Sequence, residues 1–449
     1  MRFEGKRVLI VGLGESGKAA VGFLGRRGAI VSATDAQPAE KLEKVKQELE
    51  NQGVRCHFGK HLASLFGAQD LIVPSPGVPW NLPQLEAARN SGVQVMGELE
   101  IAAGLLQGRV IGVTGTNGKT TTTALIGHIL ESAGRRVQIG GNIGYPVLSM
   151  VDESASDTWN VLELSSFQLE AMNSFRPHIA VVLNIKPDHL DRHGTFEAYT
   201  AAKARIMLAQ ESGDQLVLNA DDAVCRSFAG ASKAEVVWFG RTSSGGGGQG
   251  TFAAAVRDDW LLWNGERVTE TALPIRGTHN LENALAAVAA TSLAGIPAGE
   301  IGHAIQSFRP VEHRLEFAQN VAGVDYYNDS KATNVDATLK AVEAFDSGLW
   351  VILGGTDKGS DYRTLQDALS GRARACLLIG ASAQKIEQQL EGCAPIHVLG
   401  TLERAVEFAH RQAAPGDTVL LAPACSSFDQ FENYQHRGRV FKELIRSLR

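Results

Sequence analysis

A glycine-rich stretch, residues 111–120, has the residue types of a phosphate-binding loop. Its sequence, Ile-Gly-Val-Thr-Gly-Thr-Asn-Gly-Lys-Thr, follows a strand-like run and precedes a helical one. Gly115 and Gly118 let backbone N–H groups converge on phosphates, and Lys119 supplies a positive charge. The Thr120 hydroxyl is suited to reach Mg²⁺. A valine stands where the full Walker spacing would place its first glycine, so the loop has the shorter G-x-x-G-K-T form.

Three side chains further along the chain are candidates for chemistry beside that loop. Glu163 lies at the end of an apolar run, and strand ends of parallel sheets point into the ligand crevice, where a carboxylate suits Mg²⁺. His189 follows the apolar run 179–183, and Lys203 lies on a predicted helix at 199–206. Taken singly, such a glutamate is an ordinary ion-pair partner, the histidine is structural, and the lysine faces water. Their joint order and spacing after a phosphate loop favour a functional role for the three together.

A second glycine motif lies near the start of the chain. Gly12, Gly14 and Gly17 give G-x-G-x-x-G after the run 7–11, and Asp35 ends the next strand-like run. Taken alone, the motif predicts NAD binding, with the carboxylate on the ribose hydroxyls. The same loop and helix amino terminus would equally hold another diphosphate, such as that of UDP. The residues themselves leave both interpretations open.

The elements that must position these residues predict an α/β fold, because β-branched runs alternate with helical patterns throughout. Three domains are expected: a Rossmann-like domain at 1–98, a central P-loop ATPase-type domain with a mostly parallel sheet at 99–308, and a second Rossmann-like domain at 309–449. Strands are expected at 7–11, 30–34, 70–73, 109–113, 160–164, 179–184, 215–219, 324–328, 349–353, 376–379 and 418–422, and helices at 39–51 and 121–133. The patch 236–267 is expected to be antiparallel, with the glycine run 245–248 as a hairpin tip.

The composition argues against several classes of protein. There are 43 Lys and Arg residues against 49 Asp and Glu, a net charge of −6, which disfavours a nucleic-acid binder. The five cysteines form no C-x-x-C pair and are expected to be reduced thiols of a cytoplasmic protein. The first residues lack the pattern of a signal peptide, and no apolar run approaches the ~20 residues of a membrane-spanning helix.

The sequence Gly-Thr-Asn-Gly-Lys-Thr at 115–120 is the form found in Mur ligases and folylpolyglutamate synthetases, and the whole chain resembles the Mur ligase family. The strings that carry the resemblance are 12–17, 115–120, 184–191, 199–206, 277–283, 313–316, 328–334, 353–359 and 423–431. They extend over essentially all 449 residues. The resemblance implies a cytoplasmic, monomeric enzyme that uses ATP to join an amino acid to a UDP-linked acyl substrate. The strings at 12–17, 75–78 and 423–431 favour the D-glutamate-adding members.

The resemblance also assigns roles to individual residues. Those expected to bind ATP are Gly115, Thr116, Asn117, Gly118, Lys119, Thr120, Thr121, Asn280, Asn283, Arg314, Asp329 and Lys331. Those expected at the UDP-linked substrate are Gly14, Glu15, Ser16, Asp35, Ser75 and Asn142, and those at D-glutamate are Thr333, Lys358, Ser427 and Tyr434. Structural alternatives stand beside two of these roles, since Asn280 would also serve as a helix N-cap and Asn142 as a turn residue. Ala36 and Gln37 depart from the family pattern, and Tyr434 replaces its usual phenylalanine.

The implied chemistry is ATP-driven activation of a carboxylate through an acyl phosphate, which the amine of the amino acid then attacks. The residues expected to be catalytic are Lys119, Glu163, His189, Lys203, His313 and Arg314, and those expected to hold two Mg²⁺ ions are Thr120, Glu163, His189 and Lys203. Lys203 would be carbamylated, which turns a cation into an anion with two oxygens. The alternatives are a family member adding a different amino acid, such as L-alanine, and an NAD-dependent oxidoreductase, which would leave the phosphate loop without a role.

Overall fold

The computed structural model describes residues 2–241, 251–275, 277–309 and 311–448. Three sheets follow one another along the chain, and each is wholly or mostly parallel, so the expected α/β class is confirmed. Within the described residues no helix has both the length and the apolar character needed to cross a bilayer. The glycine run 245–248 lies outside the described residues.

The first sheet is entirely parallel. Its strands are β1 (Arg7–Val11), β2 (Ile30–Asp35), β3 (Arg55–Phe58), β4 (Leu71–Pro74) and β5 (Gln94–Val95), in the order β3-β2-β1-β4-β5. Its helices are α1 (Glu15–Arg26), α2 (Glu43–Asn51), α3 (Ala63–Gly67), α4 (Pro83–Asn90) and α5 (Glu98–Ala102). The strand order reverses between β1 and β4, so the loops after these two strands meet at a topological switch point, where ligands of such sheets bind.

The central sheet has nine strands in the order β14-β13-β12-β11-β10-β9-β6-β8-β7. They are β6 (Arg109–Thr114), β7 (Val137–Gly141), β8 (Trp159–Glu163), β9 (Ile179–Val182), β10 (Gln215–Asn219), β11 (Glu235–Gly240), β12 (Thr251–Arg257), β13 (Trp260–Trp263) and β14 (Glu266–Glu270). The helices are α6 (Lys119–Ser132), α7 (Val147–Met150), α8 (Ser166–Glu170), α9 (Leu190–His193), α10 (Phe196–Ala204), α11 (Ala223–Phe228), α12 (Thr278–Leu293) and α13 (Ala298–Ser307). Since β6 lies between β8 and β9, the segments after these three strands meet at one edge.

The third sheet has the order β15-β16-β20-β17-β18-β19 and is parallel except for its edge strand. Its strands are β15 (Glu316–Val321), β16 (Val324–Asn328), β17 (Leu349–Gly354), β18 (Ala373–Ile379), β19 (Ile396–Gly400) and β20 (Thr418–Leu421). Its helices are α14 (Val335–Glu343), α15 (Gln366–Arg372), α16 (Ala383–Gln389), α17 (Leu402–Gln412) and α18 (Tyr434–Ser447). Short 3₁₀ helices elsewhere are Ala39–Lys41, Val151–Glu153, Arg205–Met207, Ala229–Ala231 and Tyr362–Leu365.

Each sheet is covered on both faces, as parallel sheets require. In β1, Val8 and Ile10 belong to one apolar cluster and Leu9 and Val11 to another. The same alternation divides the other two sheets between clusters on opposite faces. The strand interiors are therefore continuous apolar runs, and polar side chains appear where strands end.

The strand positions expected from the sequence are largely confirmed, with two corrections. The patch 236–267 is not antiparallel throughout: β11 pairs in parallel with both β10 and β12, and only β12 to β14 form an antiparallel meander. The stretch 39–51 is a 3₁₀ turn followed by α2 rather than one helix. The short or partly exposed strands β3, β5, β7, β15 and β19 were not expected, because they lack a long apolar run.

Candidate active site

Two glycines with positive φ shape the phosphate loop between β6 and α6. Gly115 has φ 153° and Gly118 has φ 84°. A Cβ atom at Gly118 would lie 2.2 Å from Asn283 Oδ1, so glycine is required where α12 packs against the loop. Thr116 faces away from the loop interior, because its hydroxyl bonds to Tyr199 and to a backbone carbonyl.

The Thr120 hydroxyl is the centre of the site. It donates a hydrogen bond to Glu163 Oε2 at 2.6 Å. It accepts hydrogen bonds from Lys331 Nζ at 2.7 Å and from an Arg314 guanidinium nitrogen at 2.9 Å. One donor and two acceptor positions are all that a hydroxyl offers, so Thr120 is saturated by partners from two sheets.

Glu163 is buried at the end of β8 and stays ionised. Burial opposes its charge, but Lys331 and Lys119, with hydrogen bonds from Thr120 and Asn142, outweigh burial and lower its pKa to about 2. Asn142 Nδ2 donates to Glu163 Oε1 at 2.8 Å. The carboxylate therefore has one oxygen toward the phosphate loop and one toward Asn142.

Two lysines share one carbonyl of the phosphate loop. Lys119 Nζ donates to Gly115 O at 3.0 Å and to Thr116 O at 2.7 Å, and Lys203 Nζ donates to Gly115 O at 2.7 Å. Burial lowers the pKa of both lysines, that of Lys203 well below its usual value. Burial likewise lowers the pKa of Lys331, to about 7. Cations thus crowd one crevice, which is the arrangement that a polyphosphate would neutralise.

His189 contacts Phe167 and Asp188. It has φ 53° and caps α9, its ring contacts Phe167 edge-on at 4.9 Å, and its Nε2 lies 3.7 Å from Asp188 Oδ2. Burial lowers the pKa of His189 to about 4. Asp188 also faces Lys358, at 3.9 Å, so the cation expected to bind D-glutamate is directed at an internal carboxylate.

A narrow crevice lies on the α12 side of the phosphate loop. It is lined by Asn117, Gly118, Thr121, His279, Asn280, Asn283, Arg314, Asp329 and Lys340, among others. The enclosed space is only about 50 Å³, because side chains of α12, α14 and the 311–315 segment converge there. Burial raises the pKa of Asp329 to about 6. Asn280 is not the N-cap of α12, since the helix begins at Thr278 after Gly277.

A second, wider cavity of about 790 Å³ lies at the switch point of the first sheet. All six residues expected at the UDP-linked substrate line it, namely Gly14, Glu15, Ser16, Asp35, Ser75 and Asn142. Its wall also includes Tyr434 at the start of α18. Because Asn142 both lines this cavity and bonds to Glu163, the wide cavity and the phosphate loop meet at the Glu163 carboxylate.

Asp35 holds the loops that form the floor of the wide cavity. Its Oδ2 accepts from the Leu13 backbone N–H at 2.7 Å, and its Oδ1 accepts from that of Gln37 at 2.8 Å. The Ser75 hydroxyl donates to Gly12 O at 2.7 Å and ties the β4 loop to the glycine loop. Both side chains are therefore engaged with backbone before any ligand binds.

His313 belongs to the frame of the carboxyl-terminal sheet. Its Nδ1 bonds to Asn328 Nδ2 at 2.9 Å, and its ring lies edge-on to Tyr434 at 6.2 Å. In the described part of the chain, Glu312, His313 and Glu316 form the one cluster of three side chains with metal-ligand chemistry. Lys442 Nζ bonds to both of these glutamates, so the cluster already contains its own cation.

Thr333, Lys358 and Ser427 follow β16, β17 and β20, which are adjacent strands of the third sheet. Ser427 is buried, and the Thr333 backbone N–H donates to Lys331 O at 2.9 Å. The Lys331 ammonium lies 5.0 Å from the centroid of the Tyr434 ring. Tyr434 thus stands between this sheet edge and the wide cavity, closer to the UDP side than expected.

Family sequence models match almost the whole chain. The Mur ligase MurD-like N-terminal domain matches residues 6–97, the Mur ligase middle domain matches 113–291, and the Mur ligase glutamate ligase domain matches 313–425. A ligase of Solibacter usitatus is 53% identical over 449 residues, covering 100% of this chain and 99% of the relative. The chain belongs to the Mur ligase family. The relative's name is UDP-N-acetylmuramoylalanine–D-glutamate ligase, and a relative of the same name in Acidobacterium capsulatum is 52% identical, covering 99% of this chain and 97% of its own.

Solved structures share the fold of this Mur ligase at low sequence identity. MurC of Thermotoga maritima, a UDP-N-acetylmuramate–alanine ligase, has a TM-score of 0.63 at 20% identity and covers 98% of this chain and 99% of its own. A pseudomurein peptide ligase type C from Methanothermus fervidus has a TM-score of 0.60 at 21% identity, with 99% and 100% covered. ATP and Mg²⁺ use follow from membership of the Mur ligase family.

Several side chains at the Mur ligase site were not expected from the sequence. They are Tyr199, His279, Asn334, Asp336 and Lys340, which contact the phosphate loop or line the crevice, and Asp188, which is bonded to Asn334. Asp188 and Asn334 lie within the stretches 184–191 and 328–334 that resemble the family, so the sequence could have indicated them. Lys340 and Asp336 had no sequence signal, because an acid and a lysine four residues apart on a helix are typical of a solvated face.

Proposed function

We propose that this chain catalyses ATP-dependent amide formation between UDP-N-acetylmuramoyl-L-alanine and D-glutamate, releasing ADP and phosphate. The observation that carries the proposal is the Thr120 hydroxyl, which binds Glu163, Arg314 and Lys331 at the junction of a narrow cationic crevice and a wide cavity. Phosphoryl transfer to a carboxylate needs positioning and charge neutralisation at such a junction. The names of relatives at 50–53% identity support D-glutamate as the amino acid added.

The two substrates would lie on opposite sides of Glu163. The nucleoside diphosphate of the acyl substrate would lie at the amino terminus of α1, near Gly14, Glu15 and Ser16, which line the wide cavity. Its carboxylate would extend past Asn142 toward the phosphate loop. ATP would place its adenosine against Asn280 and Asn283 and its ribose hydroxyls at Asp329, so the two anions approach each other from opposite directions.

The reaction proceeds in two displacements. The substrate carboxylate attacks the γ-phosphorus of ATP, the bond to the β-phosphate oxygen breaks, and ADP leaves. The amine of D-glutamate then attacks the acyl carbon, loses a proton and displaces phosphate. Lys119, Arg314 and Lys331 neutralise the negative charge that builds up in the first displacement. Docking of the third sheet keeps water from the acyl phosphate.

The residues present fit a Mg²⁺ ion beside the phosphate loop. Thr120 Oγ1 and Glu163 Oε2 are hard oxygen donors only 2.6 Å apart, and such donors are what Mg²⁺ binds. When bound, the ion would screen the phosphate charges and hold them in line. A second ion would use His189 and a carbamate on Lys203. The support for the carbamate is that Lys203 is buried beside the Gly115 carbonyl, and that burial lowers its pKa and so favours the neutral amine that reacts with carbon dioxide.

The amino acid would bind at the edge formed by β16, β20 and β17. Lys358 would exchange Asp188 for a carboxylate of D-glutamate, while Thr333 and Ser427 would hydrogen-bond its oxygens. Tyr434 would pack beside it. His313 would act by holding Asn328 and the Tyr434 ring in place rather than by touching the acyl group. We place the reaction in the cytoplasm, where ATP is supplied, and expect a monomer in gel filtration.

The test is phosphate release by the purified protein with ATP, Mg²⁺, UDP-N-acetylmuramoyl-L-alanine and each of a panel of D- and L-amino acids. Release that requires both the UDP-linked substrate and D-glutamate is expected, with a product mass equal to the amide. Lys119→Ala is expected to abolish release, whereas Lys44→Ala, at an exposed position of α2, serves as the matched control.

Release of phosphate with L-alanine in place of D-glutamate, on UDP-N-acetylmuramate as acceptor, would assign a different family activity. Phosphate release that ignores the UDP-linked substrate would contradict the proposal, as would full turnover by Lys119→Ala.

A further inference from the structure

The phosphate loop is bound to the carboxyl-terminal helix α14 by a set of amide and carboxylate contacts. Asn117 Nδ2 donates to Asp336 Oδ2 at 2.5 Å, and Asn117 Oδ1 accepts from Asn334 Nδ2 at 3.4 Å. Asn334 Nδ2 also donates to Asp188 Oδ2 at 2.9 Å. These bonds join the segments after β6 and β9 to the start of α14.

Both halves of the Asn117 side chain are therefore engaged by α14, while its backbone is held by the central sheet. The Asn117 N–H donates to Asn184 Oδ1 at 2.9 Å, and Asn184 Nδ2 donates back to Asn117 O at 3.2 Å. Asn117 precedes Gly118 and Lys119, whose backbone N–H groups open α6. The side-chain contact with α14 is thus one residue away from the turn that presents N–H groups to phosphate.

The orientation of Asn334 is fixed by its second role. Its Oδ1 accepts from the Ala337 backbone N–H at 2.8 Å and caps α14, so its Nδ2 must face Asp188 and Asn117. Asp336 lies in the first turn of α14 but does not cap the helix. Its carboxylate also contacts Lys340 Nζ at 3.3 Å, one turn further along the same helix. The bond to Asn117 is therefore separate from the cap that begins the helix.

The contact between Asn117 and Asp336 lies beside the narrow crevice between α12 and α14. The crevice wall includes Asn117 of the phosphate loop together with Ala337 and Lys340 of α14. The bond between Asn117 and Asp336 therefore links two parts of this wall. Because it joins the loop to α14, the bond forms only while the carboxyl-terminal part is docked.

We propose that Asp336 is a positioning residue: its bond to Asn117 sets the phosphate loop for transfer only when the carboxyl-terminal part is docked. The inference rests on the proposed use of ATP at this loop. Asp336 acts through Asn117 and touches no reacting atom. Its contribution comes from a hydrogen-bond acceptor at that position, so an amide oxygen serves in its place.

The experiment compares Asp336→Ala, Asp336→Asn and the control Asp346→Ala, an exposed carboxylate just after α14. Asp336→Ala is expected to lower kcat about 10- to 100-fold, the usual weight of one hydrogen bond to a charged group. The dissociation constant of the UDP-linked substrate, by calorimetry, stays at the wild-type value because its cavity is remote. Asp336→Asn recovers most of kcat, and Asp346→Ala matches wild type.

A double-mutant cycle separates positioning from general damage to the fold. In an Asn117→Ala background, Asp336→Ala should lower kcat less than about twofold further, because the partner is gone. An equal loss in Asp336→Asn and Asp336→Ala overturns the proposal, as does full additivity in the Asn117→Ala background. Unchanged kcat in Asp336→Ala also overturns it.

The role of Asp336 can be tested even if the proposed function fails. If the wild-type protein never releases phosphate, binding of Mg²⁺ with the non-hydrolysable analogue AMP-PNP still tests the contact. Asp336→Ala should weaken that binding about 10-fold and Asp336→Asn should not. Equal binding by all three proteins would then refute the role of Asp336 independently of turnover.

Discussion

The wide cavity at the first sheet and the narrow crevice at the phosphate loop hold their polar side chains in contrasting ways. The wide cavity encloses about 790 Å³, and its polar groups are bonded to backbone, as Asp35 and Ser75 are. The narrow crevice encloses about 50 Å³, and Arg314 in its wall is bonded to the Thr120 hydroxyl of a different sheet. The first region is held by bonds within one sheet, and the second by bonds between two sheets.

Under the proposed function, this difference determines how each region would contribute to binding. A preformed cavity loses little to reorganisation, so its residues would set the affinity for the acyl substrate. Around the phosphate loop, contacts with ATP would replace internal ones, such as those of Lys119 with the loop carbonyls and of Lys331 with Thr120. Substitutions in the crevice should therefore act on kcat, and substitutions in the cavity on KM of the UDP-linked substrate.

The largest expected effect is that of Lys331→Ala. Lys331 bonds to Thr120 and lies next to Glu163, so its loss removes a charge aimed at the transferred phosphate. We expect kcat to fall about 100- to 1,000-fold, the usual weight of one group that stabilises transition-state charge. Calorimetry should give an unchanged dissociation constant for the UDP-linked substrate. Lys233→Ala, at an exposed position, is the control. A rise in KM with unchanged kcat would contradict the expected difference between the two regions.

Lys203→Ala should lower kcat on the order of 100-fold, the scale of a lost metal contact worth several kcal/mol. A small carboxylate such as acetate, supplied in the assay, should restore part of the rate by replacing the carbamate oxygens. Lys203→Met keeps the buried volume and should remain as stable as wild type in thermal unfolding, since burial already opposes the charge of this lysine. Full activity of Lys203→Ala without added carboxylate would remove the carbamate from the proposal.

Asp35→Ala should act on the cavity instead. The carboxylate accepts backbone N–H groups of Leu13 and Gln37, so its loss frees both loops of the wide cavity. We expect KM of the UDP-linked substrate to rise about 10-fold with little change in kcat, and stability to fall by about 1–3 kcal/mol. Asp35→Asn keeps one carbonyl acceptor. Its KM and its stability should therefore lie between those of the wild type and those of Asp35→Ala. A fall in kcat at unchanged KM would show that the two sites are not separable in this way.

The sequence indicated the glycine turns of the phosphate loop and of the first domain for a physical reason. Gly115, Gly118 and the glycines at 12–17 are required by backbone geometry over a few residues, so local spacing identifies them. All six residues expected at the UDP-linked substrate line one cavity, because they follow neighbouring strands at the switch point.

Contacts between sheets could not be predicted from the sequence. Nothing local indicates that Lys331 and Arg314 meet on Thr120, about 200 residues away along the chain. Asp336 and Lys340 have the spacing of an exposed ion pair and are recognised as site residues only once α14 is docked on Asn117. Likewise, nothing in the sequence of β11 indicates that it pairs in parallel with β10, because the direction of pairing depends on where the chain re-enters the sheet.

The smallest expected effect is a change in the free energy of unfolding in the absence of nucleotide. Burial raises the pKa of Asp329 from 3.8 to about 6, so the folded state disfavours its ionised form. The contribution of Asp329 to stability is therefore greatest below about pH 4, falls between about pH 4 and 6, and is constant above that. Asp329→Asn removes this slope and should gain about 1–3 kcal/mol relative to wild type between pH 4.5 and 7.5, measured from denaturant midpoints of the carboxyl-terminal transition. The same variant should bind AMP-PNP more weakly, because the ionised carboxylate is what the ribose hydroxyls would stabilise. Parallel stability profiles for the two proteins would show that the crevice, like the cavity, accommodates its polar groups at no cost before the ligand arrives.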